Sequence, residues 1–82
     1  MIQVKVRLFA ALRDEIGAGE LELEVQQNGS CSEILATLEK EYEHVGPLLQ
    51  RSLVAVNGFY AGRNTSLSSG DEVAILPPVS GG

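Results

Sequence analysis

The sequence predicts an α+β fold in which a mixed sheet of four to five strands packs on one main helix. Residues 2–9 and 20–25 alternate between apolar and polar side chains, as half-buried strands do. Residues 31–43 carry apolar side chains at helical spacing, and residues 73–76 form a short apolar run near the end of the chain. Because one helix cannot cover both faces of a sheet, one face is expected to stay polar.

The two N-terminal strands place their apolar side chains on one face. In residues 2–9 every second residue is apolar, and Phe9 then places a large aromatic side chain on the polar face. In residues 20–25 three glutamates alternate with apolar residues and are expected to face solvent. A short helical turn over residues 10–16, ended by Gly17, lies between the strands, which we expect to pair antiparallel.

The main helix is predicted to begin after Ser30 and to end near Glu43. Ser30 and Glu33 have the spacing of a capping box, in which the serine caps the helix and the glutamate reaches back. The apolar residues share one helix face, at Ile34, Leu35, Leu38 and Tyr42. Val45-Gly46-Pro47 ends the helix, and the two leucines that follow are expected to cover one end of the core.

The second half of the chain predicts three more strands. Residues 53–56 form a largely buried strand, Asn57-Gly58 is a hairpin turn, and residues 59–61 return as a short strand. Residues 62–69 form a loop anchored by Leu67, and the apolar run 73–76 belongs at the centre of the sheet. This order of elements is the β-grasp, or ubiquitin-like, arrangement. Its predicted core contains Val4, Val6, Leu23, Ile34, Leu38, Val56, Val73 and Ile75.

Composition narrows the classes of function. Eighty-two residues make one domain, and a net charge of −5 without a basic run argues against nucleic acid and anionic membranes as partners. Neither a signal peptide nor a membrane span is expected. A single cysteine permits no internal disulfide, so we expect a reducing, cytoplasmic location.

The chain is not expected to hold a complete active site of its own. Cys31 and His44 are the only cysteine and histidine, too few for a zinc cluster, and we expect no bound metal or stable cofactor. The helix between them separates them by about 20 Å, too far for a nucleophilic pair. We interpret Cys31 as a small packing residue and His44 as a solvent-facing residue. Because there is no P-loop motif, an ATP site would have to come from another protein.

The C-terminal segment predicts a different chemistry. Pro77 and Pro78 lack the N–H that a sheet ladder needs, so we divide the chain into a domain at 1–76 and a flexible tail at 77–82. The tail reaches roughly 20 Å when extended. It ends in Gly81-Gly82, whose missing Cβ atoms allow another protein to enclose the terminal carboxylate closely. Adenylation would make that carboxylate an electrophile, and a sulfur donor would then leave a thiocarboxylate.

The chain resembles the small subunits of molybdopterin synthase over its whole length. The segments that carry the resemblance are Leu8-Phe9-Ala10 with Leu12-Arg13, Val56-Asn57-Gly58, Gly70-Asp71-Glu72-Val73-Ala74 and Pro77-Pro78-Val79-Ser80-Gly81-Gly82. It departs from many members near Phe59 and at Ser69, where acidic residues are common. These departures lie outside the tail and concern the partner surface rather than the chemistry.

The resemblance implies a sulfur carrier. An E1-like adenylyltransferase would use ATP to form an acyl-adenylate on Gly82, and a sulfur donor enzyme would convert it to a thiocarboxylate. The tail would then enter the large subunit of molybdopterin synthase and pass sulfur to cyclic pyranopterin monophosphate. The resemblance further implies that two carriers would serve each pterin, in a heterotetramer of two large and two small subunits.

The expected site residues follow from the tail and from strand parity. Gly82 is expected to carry the reacting group, with Gly81 beside it, and Pro77, Pro78, Val79 and Ser80 are expected to contact the partner. If Val73 and Ile75 face the helix, Leu76 lies on the polar face with Phe9, and Tyr60 is placed near them. Such an apolar cluster on a polar face predicts an interface.

Three alternatives remain open at this stage. The chain could carry sulfur for another pathway, such as thiamin synthesis or tRNA thiolation. It could be a ubiquitin-like modifier joined to lysines through Gly82. It could also be a β-grasp interaction domain with an inert tail, since chain ends are often rich in glycine and serine. Residues 77–79 favour the molybdopterin branch by resemblance only.

Overall fold

A computed structural model describes residues 1–78 and confirms the β-grasp fold of the α+β class. Its strands are β1 (Ile2–Leu8), β2 (Glu20–Val25), β3 (Leu53–Val56), β4 (Phe59–Ala61) and β5 (Glu72–Leu76). Its helices are α1 (Ala10–Ile16), α2 (Cys31–Glu41) and α3 (Gly46–Gln50), with a 3₁₀ turn at Glu43–Val45.

The last strand lies in the middle of the sheet, as predicted. The strand order is β2-β1-β5-β3-β4, with β5 parallel to β1 and antiparallel to β3. β1 and β2 pair antiparallel, and so do β3 and β4. A central strand has neighbours on both sides, which suits the nearly continuous apolar sequence of β5. The strand leading to the tail is therefore held from both sides.

The core lies between one face of the sheet and α2. Six of the eight predicted core residues are buried, namely Val4, Val6, Ile34, Leu38, Val73 and Ile75. Leu23 and Val56 are half-buried and pack against this cluster, because β2 is an edge strand and Val56 adjoins the hairpin turn. Leu67 is buried, which confirms it as the anchor of its loop.

The predicted capping box at the start of α2 is wrong. The Ser30 side chain makes no cap, and Glu33 Oε1 instead accepts a hydrogen bond from Gln26 N at 3.0 Å. The free N–H groups of the first helical turn find backbone partners in the loop before β5. Cys31 N donates to Thr65 O at 3.1 Å, and Ser32 N donates to Arg63 O at 2.9 Å. Because these carbonyls satisfy the helix start, no side-chain cap is needed.

Other predicted boundaries shift by one or two residues. β1 ends at Leu8 and Phe9 becomes the N-cap of α1, while α2 ends at Glu41 rather than Glu43. α1 itself ends at Gly17 with a φ of 86°, as expected of a glycine cap. α3 was not predicted, because five residues leave no periodic pattern. It buries Leu49 against the core, as expected of that segment.

The prediction that β3 is largely buried is wrong at its first residue. The Leu53 side chain is 59% exposed. Val54 faces α2, so the neighbouring Leu53 faces the opposite side of the sheet. Four apolar residues in a row concealed the difference between the two faces.

Replacing Leu38 by alanine should cost about 2–5 kcal/mol of unfolding free energy, because the side chain is fully buried and the change leaves a cavity. Denaturant titration of the isolated chain measures this cost. Lys40→Ala, at an exposed position on the same helix, is the control and should change stability by less than about 0.5 kcal/mol. A similarly small loss for Leu38→Ala would contradict the assigned helix face.

Candidate functional site

The sheet face opposite α2, here called the open face, carries the residues that a partner can reach. Strand pairing identifies them, since directly opposed residues of neighbouring strands point to the same side. Arg7 opposes Ala74, Ala74 opposes Ala55, and Ala55 opposes Tyr60. Leu76 opposes Leu53 in the adjacent row. The half of the open face formed by β3, β4 and β5 is therefore mainly apolar.

The apolar patch consists of Phe9, Leu53, Ala55, Tyr60, Ala74 and Leu76. Tyr60 is 76% exposed, whereas Leu76 is half-buried at the end of the central strand. The two alanines lie between these larger side chains and project less from the sheet. The structure thus places Leu76 on the face that parity predicted, and the strand register adds Tyr60 and Leu53 to the same face. No local sequence signal identified Leu53, because all four residues of β3 are apolar and do not show which of them face α2.

Phe9 lies at the end of this patch that is nearest to Leu76 and the start of the C-terminal tail. It follows Leu8, which pairs with Ile75 of the parallel strand β5, so Phe9 and Leu76 each lie one residue beyond a registered pair. The guanidinium of Arg7 lies over the Phe9 ring, 5.7 Å from its centroid. This cation–π contact holds the half-buried ring against the open face.

The other half of the open face is charged. Arg7 Nη1 lies 3.6 Å from Glu72 Oε1, and Lys5 Nζ lies 3.9 Å from Glu20 Oε2. All four side chains are about half exposed, so each pair contributes less than about 1 kcal/mol to stability. These pairs border the apolar patch and give it a polar margin, a composition typical of interfaces.

The root of the tail lies beside the apolar patch. β5 ends at Leu76, directly before the two prolines, as their missing N–H groups predicted. Pro77 is half-buried and Pro78 is exposed. The remaining predicted site residues, Val79, Ser80, Gly81 and Gly82, lie outside the described residues.

The start of β5 is anchored by side-chain hydrogen bonds that sequence reasoning missed. Asn57 Nδ2 donates to Asp71 Oδ1 at 3.0 Å, and Asn57 Oδ1 accepts from Glu72 N at 3.0 Å. Asp71 Oδ2 also accepts from Ser68 N at 2.8 Å. Asn57 has a φ of 51° and Gly58 a φ of 89°, as a type I′ hairpin turn requires. The asparagine read as a turn signal therefore also fixes the strand that leads to the tail.

Cys31 and His44 occupy separate places. Cys31 is fully buried in the core, and burial, followed by the charge of Asp71, raises the pKa of its thiol. His44 is exposed, with Nε2 3.3 Å from Glu15 O. These positions confirm Cys31 as a small packing residue and His44 as a solvent-facing residue.

Cys31 is expected to be unreactive in the folded chain. A buried thiol with a raised pKa presents little thiolate at neutral pH, and thiolate is the reactive form. At pH 7 an aromatic disulfide reagent should modify it only as fast as the chain unfolds, and rapidly in denaturant. Fast modification of the native chain would contradict the burial of this residue.

The described part of the chain contains neither a metal-binding cluster nor a membrane-spanning helix. Among residues 1–78, the acidic, histidine and cysteine side chains form no cluster able to hold a metal ion. No helix among these residues has the length and apolar content to cross a membrane.

Comparison with known proteins gives the family. The ThiS family model matches residues 6–82. Two proteins named molybdopterin synthase sulfur carrier subunit are similar to this chain. That of Dictyostelium discoideum is 36% identical, covering 98% of this chain and 96% of its own length. That of Mycobacterium tuberculosis is 37% identical and covers both chains fully. Small archaeal modifier protein 3 of Haloferax volcanii is 30% identical over 99% of this chain and its own full length.

Solved structures agree with this assignment. The putative molybdopterin converting factor subunit 1 of Pyrococcus furiosus superposes with a TM-score of 0.87 at 28% identity, covering 96% of this chain and all of its own. A chain from the complex of subunits 1 and 2 of the molybdopterin-converting factor of Helicobacter pylori has a TM-score of 0.71 at 29% identity, covering 99% of this chain and all of its own. The chain belongs to the ThiS family, and it is similar along its whole length to molybdopterin synthase sulfur carrier subunits.

Proposed function

We propose that the chain is the sulfur carrier subunit of a molybdopterin synthase, with the sulfur held as a thiocarboxylate on Gly82. The full-length similarity to proteins named as such subunits is the observation that carries this proposal. The fold supports it, since the central strand β5 ends beside an apolar patch at the root of a segment ending in Gly81-Gly82.

The activation chemistry requires two steps. The Gly82 carboxylate attacks the α-phosphate of ATP, which releases pyrophosphate and leaves an acyl-adenylate. Sulfide released by a sulfur donor enzyme then attacks the acyl carbon, and the bond to AMP breaks as the carbon–sulfur bond of the thiocarboxylate forms. An E1-like adenylyltransferase supplies the ATP site. Water must be kept from the adenylate and the thioacid, and two glycines allow a partner to close around them.

Transfer then requires a second partner. The tail enters the large subunit of the synthase, where the thiocarboxylate sulfur forms a bond to a carbon of cyclic pyranopterin monophosphate as a carbon–oxygen bond at that carbon breaks and the oxygen substituent leaves. Water cleaves the remaining acyl–sulfur bond and restores the carboxylate of Gly82. Two carriers supply the two sulfurs of one dithiolene, which suits a heterotetramer of two large and two small subunits.

The apolar patch docks the carrier on these partners. Phe9, Tyr60 and Leu76 supply its larger side chains, with Leu53 beside Leu76 at the root of the tail. Pro77, Pro78, Val79 and Ser80 then guide the chain to the reacting glycines. The point where the tail leaves the sheet must be held in place, because small displacements of the reacting atoms lower the rate of transfer strongly.

Intact mass spectrometry tests the activation step. The chain is incubated with ATP, the activating enzyme and a sulfide source. A sulfur carrier gains the mass of one sulfur in place of one oxygen, and omission of ATP abolishes the gain. A chain that keeps its original mass under all of these conditions would contradict the proposal.

Conjugation to lysines is a second candidate, favoured by the similarity to small archaeal modifier protein 3. Both functions begin with the same activation, so the products distinguish them. Affinity capture of a tagged chain under denaturing conditions recovers a ladder of covalent products from a modifier. A carrier is recovered as the free chain, with one sulfur added.

A further inference from the structure

The two edges of the sheet differ in how they are protected against pairing with another strand. β2 presents Glu20, Glu22 and Glu24 along one edge. At the other edge β4, the segment Phe59-Tyr60-Ala61, contains neither a charged residue nor a proline. Edge strands usually carry such features because their unpaired main-chain groups attract other strands. The edge of β4 is therefore the open one in the described sheet.

The hydrogen-bond pattern shows that Tyr60 turns its main chain outward. Asn57 N donates to Glu72 O at 2.8 Å, so Asn57, directly after β3, directs its main-chain N–H toward β5. Since bonded and non-bonded pairs alternate in antiparallel strands, Ala55 also directs its N–H and C=O toward β5. Tyr60 opposes Ala55 in a non-bonded pair, so its own N–H and C=O lie on the outer edge.

Aromatic side chains flank this edge on both faces. Phe59 is 78% exposed and Tyr60 is 76% exposed, and as consecutive strand residues they point to opposite faces. The Tyr60 side chain belongs to the apolar patch. An occupant of the patch is therefore in reach of the free main-chain groups of the same residue.

We propose that the edge of β4 pairs, at Tyr60, with an extended segment of the large subunit that receives the tail. This segment extends the sheet by one strand, with Tyr60 exchanging a pair of main-chain hydrogen bonds with it. The inference rests on the proposed function, which supplies the partner. A second copy of the chain is the less suitable occupant, since two chains of formal charge −5 repel each other.

A backbone change separates strand pairing from side-chain contact. The chain with N-methyl-Tyr60 can be made by chemical synthesis of two fragments, residues 1–30 and 31–82, which are then ligated at Cys31. The change removes one outward donor, places a methyl group on the pairing edge and leaves the side chain in place. Affinity for the cognate large subunit, measured by calorimetry, should fall about tenfold, the scale of one lost main-chain hydrogen bond with its steric clash. N-methyl-Glu22 is the matched control, because its N–H also points outward, at the protected edge.

The control chain should bind within about twofold of the unmodified chain. An N-methyl-Tyr60 chain that binds as tightly as this control would overturn the proposal. So would a concentration-dependent dimer of the free chain that N-methyl-Tyr60 abolishes, since the edge would then belong to a second copy. The same N-methyl-Tyr60 chain is also incubated with ATP, the activating enzyme and sulfide. Gain of sulfur with unchanged affinity rejects the edge pairing alone, whereas failure of the unmodified chain to gain sulfur rejects the proposed function.

Discussion

Leu76→Asp is expected to abolish binding to the large subunit while leaving the isolated fold intact. Leu76 faces the open side of the sheet, opposite Leu53 and at the root of the tail. A carboxylate there would lie unpaired in the apolar centre of the interface, where single changes cost about 2 kcal/mol or more. Size-exclusion chromatography at low micromolar concentration, with circular dichroism of the free chain, measures both effects.

Ala36→Asp is the matched control for this change. Ala36 is exposed on α2, on the other side of the sheet from the apolar patch. The control adds the same charge and should still co-elute with the large subunit. Co-elution of Leu76→Asp under the same conditions would show that the patch is wrongly placed.

Deletion of Gly82 is expected to eliminate sulfur transfer. It moves the terminal carboxylate back to Gly81 and so shortens, by one residue, the segment that must reach the activating site and the pterin. Stability should change by less than about 0.5 kcal/mol, because the deletion lies six residues beyond the end of β5 and leaves every buried core residue in the sequence. Molybdopterin formed from carrier, activating system, large subunit and precursor measures the loss.

In the same assay, Gly81→Ala tests whether a partner must close tightly around the tail, separately from whether the terminal carboxylate reacts. It keeps the length of the tail and the terminal carboxylate but adds a Cβ where a partner must close. It should lower the rate of activation or transfer without abolishing it. If the alanine variant is as fast as the unmodified chain, the argument for close enclosure fails, although Gly82 keeps its role.

Most of the fold could be predicted because its signals are local. Alternation in β1 and β2, helical spacing in α2 and the Asn57-Gly58 turn each specify an element without reference to the rest of the chain. The prolines at 77 and 78 likewise ended β5 at Leu76. These features arise from strand geometry, helix geometry and a missing N–H, which act over a few residues.

The predictions that were wrong or incomplete concern contacts between residues that are distant in sequence. The capping box at Ser30 and Glu33 failed because carbonyls of the loop at 62–67 reach the start of α2. The exposure of Leu53 depends on which face β3 presents, and four apolar residues do not reveal that. The link from Asn57 to Asp71 joins residues 14 apart through the sheet. Tertiary contacts thus decided what local patterns left open.

The candidate site was predicted unevenly for the same reason. Parity placed Leu76 and Phe9 on the polar face, and the register of β3 with β4 adds Tyr60 and Leu53 to one surface. The function of Gly82 came from the resemblance, since a terminal Gly-Gly by itself is common in chain ends. The roles of Gly81 and Gly82 stay predictions, as do those of Val79 and Ser80.

Isotopic labelling tests the central claim most directly. Carrier thiocarboxylated with heavy sulfur is purified and mixed with the large subunit and the precursor in unlabelled buffer, without ATP. If Gly82 carries the transferred sulfur, the dithiolene contains the label, two carriers are consumed per molybdopterin, and each carrier returns to its carboxylate mass. Molybdopterin that forms without the label, while the carrier keeps its heavy sulfur, would contradict the account.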